Sequence, residues 1–161
     1  TQFKVYLPAS RTEVEPAGNA AAAAAPSGSG ECLLLVDDED SVRTVTGRIL
    51  ESHGYRVIMS RNGAEGLAAY KEFRTQIAAV VTDIMMPVMD GQTLIRHLRE
   101  IDPAVRVIAI SGYLGQANVS SDWMQTSAAV LLKPFEAGEL LVAVRDVLHA
   151  SGEVPEARRK R

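Results

Sequence analysis

Short apolar runs alternate with amphipathic stretches from Glu31 to Ala150. The runs are CLLLV (32–36), YRVIM (55–59), IAAVVT (77–82), VRVIAI (105–110) and AAVLL (128–132). Each has the length of a strand, and most are rich in Val and Ile, which suit a buried pleated surface. The stretches between them read as helices. EDSVRTVTGRILESHG (39–54) puts Val42, Val45, Ile49 and Leu50 on one face and stops at Gly54. NGAEGLAAYKEF (62–73) opens with Asn62, a good N-cap. GQTLIRHLREID (91–102) stripes Leu94, Ile95 and Leu98, and EAGELLVAVRDVLHA (136–150) stripes Leu140, Leu141, Val144 and Leu148. Between Gly112 and Ser127, with Gly115, Asn118 and Val119, the pattern predicts the weakest helix. Strands alternating with helices imply an α/β domain whose parallel sheet is covered on both faces.

The flanks differ in kind. Residues 9–30 are rich in Ala, Pro, Gly and Ser and read as a linker. The alanine run Ala20–Ala25 is too short for a stable isolated helix. Residues 151–161 form a polar tail, and its RRKR is read as solvated rather than as a nucleic-acid patch. A hydrophobic share of 47% is enough for a real core, and a net charge of −3 gives no electrostatic reason to expect nucleic acid. The single cysteine, Cys32, excludes an internal disulfide and a cysteine-cluster metal site, and reads as a small core residue. No apolar run approaches the ~18 residues of a membrane span, and no signal peptide is evident, so the expected compartment is the cytoplasm.

In sheets of this type, sites form at the carboxyl ends of the strands. Asp37 and Asp38 end the first run, Asp83 the third, Ser111 and Gly112 the fourth, and Lys133 and Pro134 the fifth. Three carboxylates gathered without a counter-charge would repel by several kcal/mol per pair, roughly 4 kcal/mol at 4 Å and an effective dielectric of 20. A hard divalent cation resolves this: Mg²⁺ takes about six oxygen ligands at 2.0–2.1 Å. Ser111 and Lys133 then remain to meet an anion. Glu39 and Asp40 fall where the first helix begins and suit its positive end. His53, His97 and His149 have no ligand partner nearby in the pattern and read as surface residues, and Met85, Met86 and Met89 as loop and packing residues. Trp123 reads as partly buried.

LVDDE (35–39), DIMMPVMDG (83–91), ISG (110–112) and LKPF (132–135) together resemble the receiver domain of bacterial response regulators, over about Cys32–His149. The resemblance implies a doubly wound, flavodoxin-like fold with strand order 2-1-3-4-5. It makes Asp83 the phosphoacceptor, charged from a phosphohistidine on a histidine kinase or a histidine phosphotransfer protein. It makes Asp38 a direct Mg²⁺ ligand, Asp37 its companion acting through water, and the backbone carbonyl of Met85 a further ligand; Mn²⁺ is the substitute. Lys133 would contact the phosphoryl group, Ser111 would be the switch hydroxyl, and the Lys133–Pro134 bond is expected to be cis. Receivers of this kind also phosphorylate and dephosphorylate themselves. One departure stands out. Many receivers carry an aromatic residue three positions before the lysine, where this chain has Val130; Tyr113 is the nearest substitute.

TQFKVYLPA (1–9) resembles the last strand of a histidine-kinase ATP-binding domain, which casts residues 1–8 as the end of a kinase and the whole as the tail of a hybrid sensor kinase. Two rivals remain at this point. DED (38–40) resembles the nucleophile motif of haloacid-dehalogenase-like phosphatases, although KPFEAGEL lacks the later acidic pair and Asp83 would go unexplained. The other is a non-phosphorylated receiver used only for docking.

Overall fold

The computed structural model describes residues 26–112 and 122–150 of the 161-residue chain, with the side chains of 122 and 123 outside the description. Residues 1–8, most of the linker, Tyr113, the side chain of Trp123 and the tail 151–161 therefore lie outside it.

Five strands alternate with five helices: β1 Cys32–Val36, α1 Asp40–Ser52, β2 Arg56–Ser60, α2 Gly63–Phe73, β3 Ile77–Asp83, α3 Gly91–Ile101, β4 Val107–Ser111, α4 Asp122–Thr126, β5 Ala129–Leu132 and α5 Ala137–His149. All pairings are parallel, and the order is β2-β1-β3-β4-β5, as the sequence resemblance implied. Leu34 pairs with Val80 and with Ile58, which sets β1 between β2 and β3. Chain direction across the sheet reverses between β1 and β3, the place where such folds open a crevice at the strand ends.

Alternation along each strand divides the core. Leu34 and Val36 of β1 face a cluster with Tyr70 of α2 and Leu94, Ile95 and Leu98 of α3. Leu33 and Leu35 face the other side, with Leu50 of α1 and Leu140, Leu141 and Val144 of α5. Each fully buried Leu or Ile contributes about 1.5–3 kcal/mol of transfer free energy. The central strands β1 and β4 are buried throughout, whereas the edge strands β2 and β5 are only partly covered.

The helix start expected at Asn62 is present: its side chain accepts a hydrogen bond from Glu65 N–H at 3.0 Å. One stripe assignment needs correction. Val45 is 57% exposed, and α1 instead buries Thr46, Gly47 and Leu50. The reason is close approach: a Cβ on Gly47 would lie 2.1 Å from the methyl carbon of Met59, so β2 draws that side of α1 inward. On α5 the expected stripe is present: Leu140, Leu141 and Val144 are buried and Leu148, half-buried, packs against the same cluster, which Val147 also joins. Helix α4, in the segment of weakest pattern, spans five residues. Among the described residues no helix is long and apolar enough to cross a membrane.

Candidate functional site

The strand ends bring the expected residues together. Asp37 follows β1, Asp83 closes β3, Ser111 closes β4 and Lys133 follows β5. Asp37, Asp83 and Ser111 are buried, while Asp38 is exposed. Carboxylate oxygens of Asp37, Asp38 and Asp83 all lie within 4.8 Å of one another. Lys133 reaches in from the β5 side: its Nζ donates to Asp83 Oδ2 at 2.5 Å and to Asp37 Oδ2 at 3.2 Å. Three acids against one ammonium leave a net negative site. That composition of hard oxygen donors fits Mg²⁺, which prefers carboxylates and retains water.

Local backbone geometry holds these side chains. Asp37 Oδ1 accepts from Glu39 N–H at 2.9 Å, and Asp83 Oδ1 accepts from Met85 N–H at 2.9 Å. Each carboxylate thus has one oxygen tied to its own loop and the other on Lys133. Lys133 N–H donates to Ser111 O at 2.8 Å, locking the end of β5 to β4. The Lys133–Pro134 bond is cis, as the resemblance led us to expect.

Burial is the largest influence on Asp37 and holds its carboxyl above the usual value, reinforced by the negative charge of Asp83 and opposed by Glu39 N–H and Lys133. Burial alone would lower Lys133; the hydrogen bond and charge of Asp83, then those of Asp37, outweigh it and raise its pKa. The two partners do not shift as mirror images, because Asp37 pays desolvation that a single shared lysine does not cancel.

Met85 stands at the rim, with its side chain 75% exposed and its N–H on Asp83. The loop that carries it, residues 84–90, is closed at its base by Gly91 N–H to Ile84 O at 3.0 Å. Only glycine fits there: a Cβ at position 91 would lie 2.1 Å from the Asp83 carbonyl oxygen. Asp90 then caps α3 by accepting from Thr93 N–H at 2.7 Å.

Glu39 and Asp40 occupy the start of α1 as expected, Glu39 as N-cap and Asp40 in the first turn, although Glu39 makes no side-chain cap hydrogen bond. One contributor was not anticipated. Arg43 donates to Asp37 O at 2.7 Å and pairs with Asp40, fastening the loop behind the acids. Its signal was an Arg three residues after Asp40 on a helix, a spacing common to solvated pairs and therefore uninformative alone. The phosphatase rival loses its motif here, since Asp40 points to Arg43 and the buried centre is Asp83. Val130 is half-buried and packs against the α2–α3 side of the core. None of the three histidines is near the acids: His53 meets Ile49 O and Ser52, His97 meets Glu100, and His149 ends α5.

Comparison with known proteins agrees with this geometry. The family described as "Response regulator receiver domain" matches residues 33–145. The sensor kinase CckA of Brucella abortus is 36% identical over 157 residues, covering 92% of this chain; the chain spans only 16% of that relative's length. The crystal structure of the receiver domain from the hybrid histidine kinase CckA superposes with a TM-score of 0.62 at 32% identity, over 73% of this chain and 98% of that one. The CheX–CheY–BeF₃–Mg²⁺ complex from Borrelia burgdorferi gives a TM-score of 0.67 at 30% identity, over 72% of this chain and 87% of that chain. With the sheet order, the acidic cluster and the lysine in place, this chain belongs to the response regulator receiver family of two-component signalling.

Proposed function

We propose that the domain takes a phosphoryl group onto Asp83 from a phosphohistidine on a histidine kinase or a histidine phosphotransfer protein, and switches its surface in response. The observation that carries this is the convergence of Asp37, Asp38 and Asp83 with Lys133 bridging two of them.

In the transfer, an Asp83 carboxylate oxygen forms a bond to phosphorus as the P–N bond of the phosphohistidine breaks. The electron pair stays on the imidazole nitrogen, which takes a proton from solvent. A carboxylate is a weak nucleophile, so the step depends on alignment and charge neutralisation. Asp38, Asp83 and the Met85 carbonyl are suited to hold Mg²⁺ directly and Asp37 through water; Mn²⁺ suits the same oxygen set. When bound, the cation neutralises charge on the phosphoryl oxygens and orients them. Lys133 exchanges a carboxylate partner for a phosphoryl oxygen. The Ser111 hydroxyl, buried at the end of β4, donates to another, and its movement biases the neighbouring surface between two states. The Mg²⁺ and BeF₃ named for the Borrelia burgdorferi complex support the same chemistry here.

The similarity to the Brucella abortus sensor kinase covers 92% of this chain and so extends beyond 33–145. That supports residues 31–150 as the receiver of a hybrid sensor kinase, 1–8 as the end of its ATP-binding domain, 9–30 as the tether and 151–161 as a tail.

The test is incubation with acetyl phosphate and Mg²⁺, followed by peptide mass spectrometry. One acid- and base-labile adduct is expected on Asp83, absent in Asp83→Asn and suppressed by EDTA. An undiminished adduct in Asp83→Asn overturns the assignment.

A further inference from the structure

Asp37 is held through all four of its polar groups. Its N–H donates to Ser60 O at 3.2 Å, Oδ1 accepts from Glu39 N–H at 2.9 Å, and Oδ2 accepts from Lys133 Nζ at 3.2 Å. The fourth group, the main-chain carbonyl, accepts from Arg43 Nη1 at 2.7 Å. Asp38 differs. Its side chain is exposed and makes no hydrogen bond or ion pair among the described residues. Its carboxylate nonetheless lies with those of Asp37 and Asp83, all within 4.8 Å of one another. The backbone is what aims it, and the peptide joining Asp37 to Asp38 is the one whose carbonyl Arg43 holds.

Arg43 has a firm base for this. It stands at the end of the first turn of α1, with its own N–H on Glu39 O at 2.9 Å. Its side chain is 11% exposed, although its ion-pair partner Asp40 is 85% exposed. An arginine serving only a solvated pair on a helix has no reason to be covered. A guanidinium presents its N–H groups in a fixed fork. Here one prong reaches Asp40 and the other the Asp37 carbonyl. Asp40 also offsets a positive charge that, left alone, would oppose a cation at the acids.

We propose that Arg43 is a positioning residue for divalent-metal binding: by fixing the Asp37–Asp38 peptide it sets the direction in which the Asp38 carboxylate meets Mg²⁺. This rests on the metal reading above. Arg43 is not itself a ligand, because a guanidinium has no lone pair to give. Its effect passes through Asp38, whose unpartnered side chain has less freedom left to lose when the cation arrives. Charge and position predict opposite signs. Removing a cationic side chain near the site would tighten Mg²⁺ binding by charge alone, whereas loss of positioning weakens it.

The test is titration of the full chain with MgCl₂, without phosphodonor, followed by ¹H–¹⁵N NMR. Amide shifts give Kd, and the same spectra show whether each variant is folded. Arg43→Met is expected to raise Kd about tenfold, equivalent to ~1.4 kcal/mol. Arg43→Lys keeps the charge without the fork and should raise it about threefold. Asp40→Asn breaks the ion pair, leaves the bond to Asp37 O, and should change Kd less than about twofold. In an Asp38→Asn background, Arg43→Met should add less than about twofold, since coupled residues are not additive. A folded Arg43→Met that binds Mg²⁺ as tightly as wild type, or more tightly, overturns the proposal. So does a full tenfold effect in the Asp38→Asn background, or an Asp40→Asn effect as large as that of Arg43→Met. Where Arg43→Met does not fold, Arg43→Lys decides, and an unchanged Kd overturns the proposal. Amide shifts in wild type that do not respond to Mg²⁺ overturn instead the metal reading on which it rests.

Discussion

Asp37 shows how a single side chain is held at a cost to stability. It is 1% exposed, lies within reach of two other carboxylates and shares one lysine with Asp83. Its carboxyl pKa lies above the usual 3.8, with burial the main cause. The sign follows: as pH rises from 3.8 through that raised value, the unfolded chain releases its proton first, and stability is lost. Above that raised value the loss is retained. Asp37→Asn keeps an acceptor for Glu39 N–H and leaves Lys133 paired with Asp83. It should therefore stabilise the metal-free domain at pH 7 by about 1 kcal/mol, roughly 3–6 °C in Tm, with the gain shrinking toward pH 4. Mg²⁺ should raise the wild-type melting point, by ~2.7 kcal/mol at a hundredfold excess over Kd, and the Asn variant should lose most of that response. Calorimetry with and without Mg²⁺ checks both signs; an Asn variant that melts below wild type without metal refutes the argument. The acids and Lys133 were legible in the sequence because each ends an apolar run, and strand ends converge in a parallel sheet. Arg43 was not. Its contribution depends on where a guanidinium reaches, which leaves no periodic trace.

Between elements, Tyr70 of α2 joins the chain beyond α3. Its hydroxyl donates to Asp102 Oδ2 at 3.0 Å from a position 2% exposed to solvent. Burial first, and then the hydrogen bond and charge of Asp102, push the phenol up to about 12 from 10.0. Below pH 10 the neutral phenol is intact in folded and unfolded chains and its stabilisation is fully present. From 10 to 12 the unfolded chain ionises first and that stabilisation drains away. Tyr70→Phe should cost about 1 kcal/mol at pH 7. Asp102 keeps Ala104 N–H and Arg74, which limits the loss. Urea unfolding at pH 8 and pH 11 should show the gap between wild type and Phe narrowing or reversing; a constant gap would mean the hydroxyl is not the titrating partner. At this scale the sequence reading succeeded wherever burial was symmetric, as in β1 and in α3 with Leu94, Ile95 and Leu98. It erred at Val45, because the inward face of α1 is set by the approach of Met59 to Gly47, a contact between elements.

Across the whole molecule the two poles of the sheet have different duties. The carboxyl ends hold the acids and Lys133, and the amino ends receive the incoming chain. Gly28 N–H donates to His53 O at 2.7 Å, Gly30 N–H to Gly54 O at 3.0 Å, and Arg56 Nε to Gly30 O at 3.0 Å. The last residues before β1 are thus fastened to the turn between α1 and β2. Gly28 lies so close to Tyr55 that a Cβ would stand 2.5 Å from the ring, and Tyr55 is itself buried in the α1–α5 side of the core. Residues 28–30 are thus held at the pole opposite the acids. Gly28→Val must therefore push Tyr55 or break the hydrogen bond to His53. Overpacking of this kind costs about 1–3 kcal/mol. Asp83, the proposed phosphoacceptor, lies at the other end of the strands, so its chemistry should be spared. Well below the variant's Tm, acetyl phosphate should label Asp83 of Gly28→Val within about twofold of the wild-type rate, while calorimetry reads the lowered melting point. Labelling that falls in step with stability at that temperature would show the two poles to be coupled through the sheet, and the separation of residues 28–30 from the site would have to be abandoned.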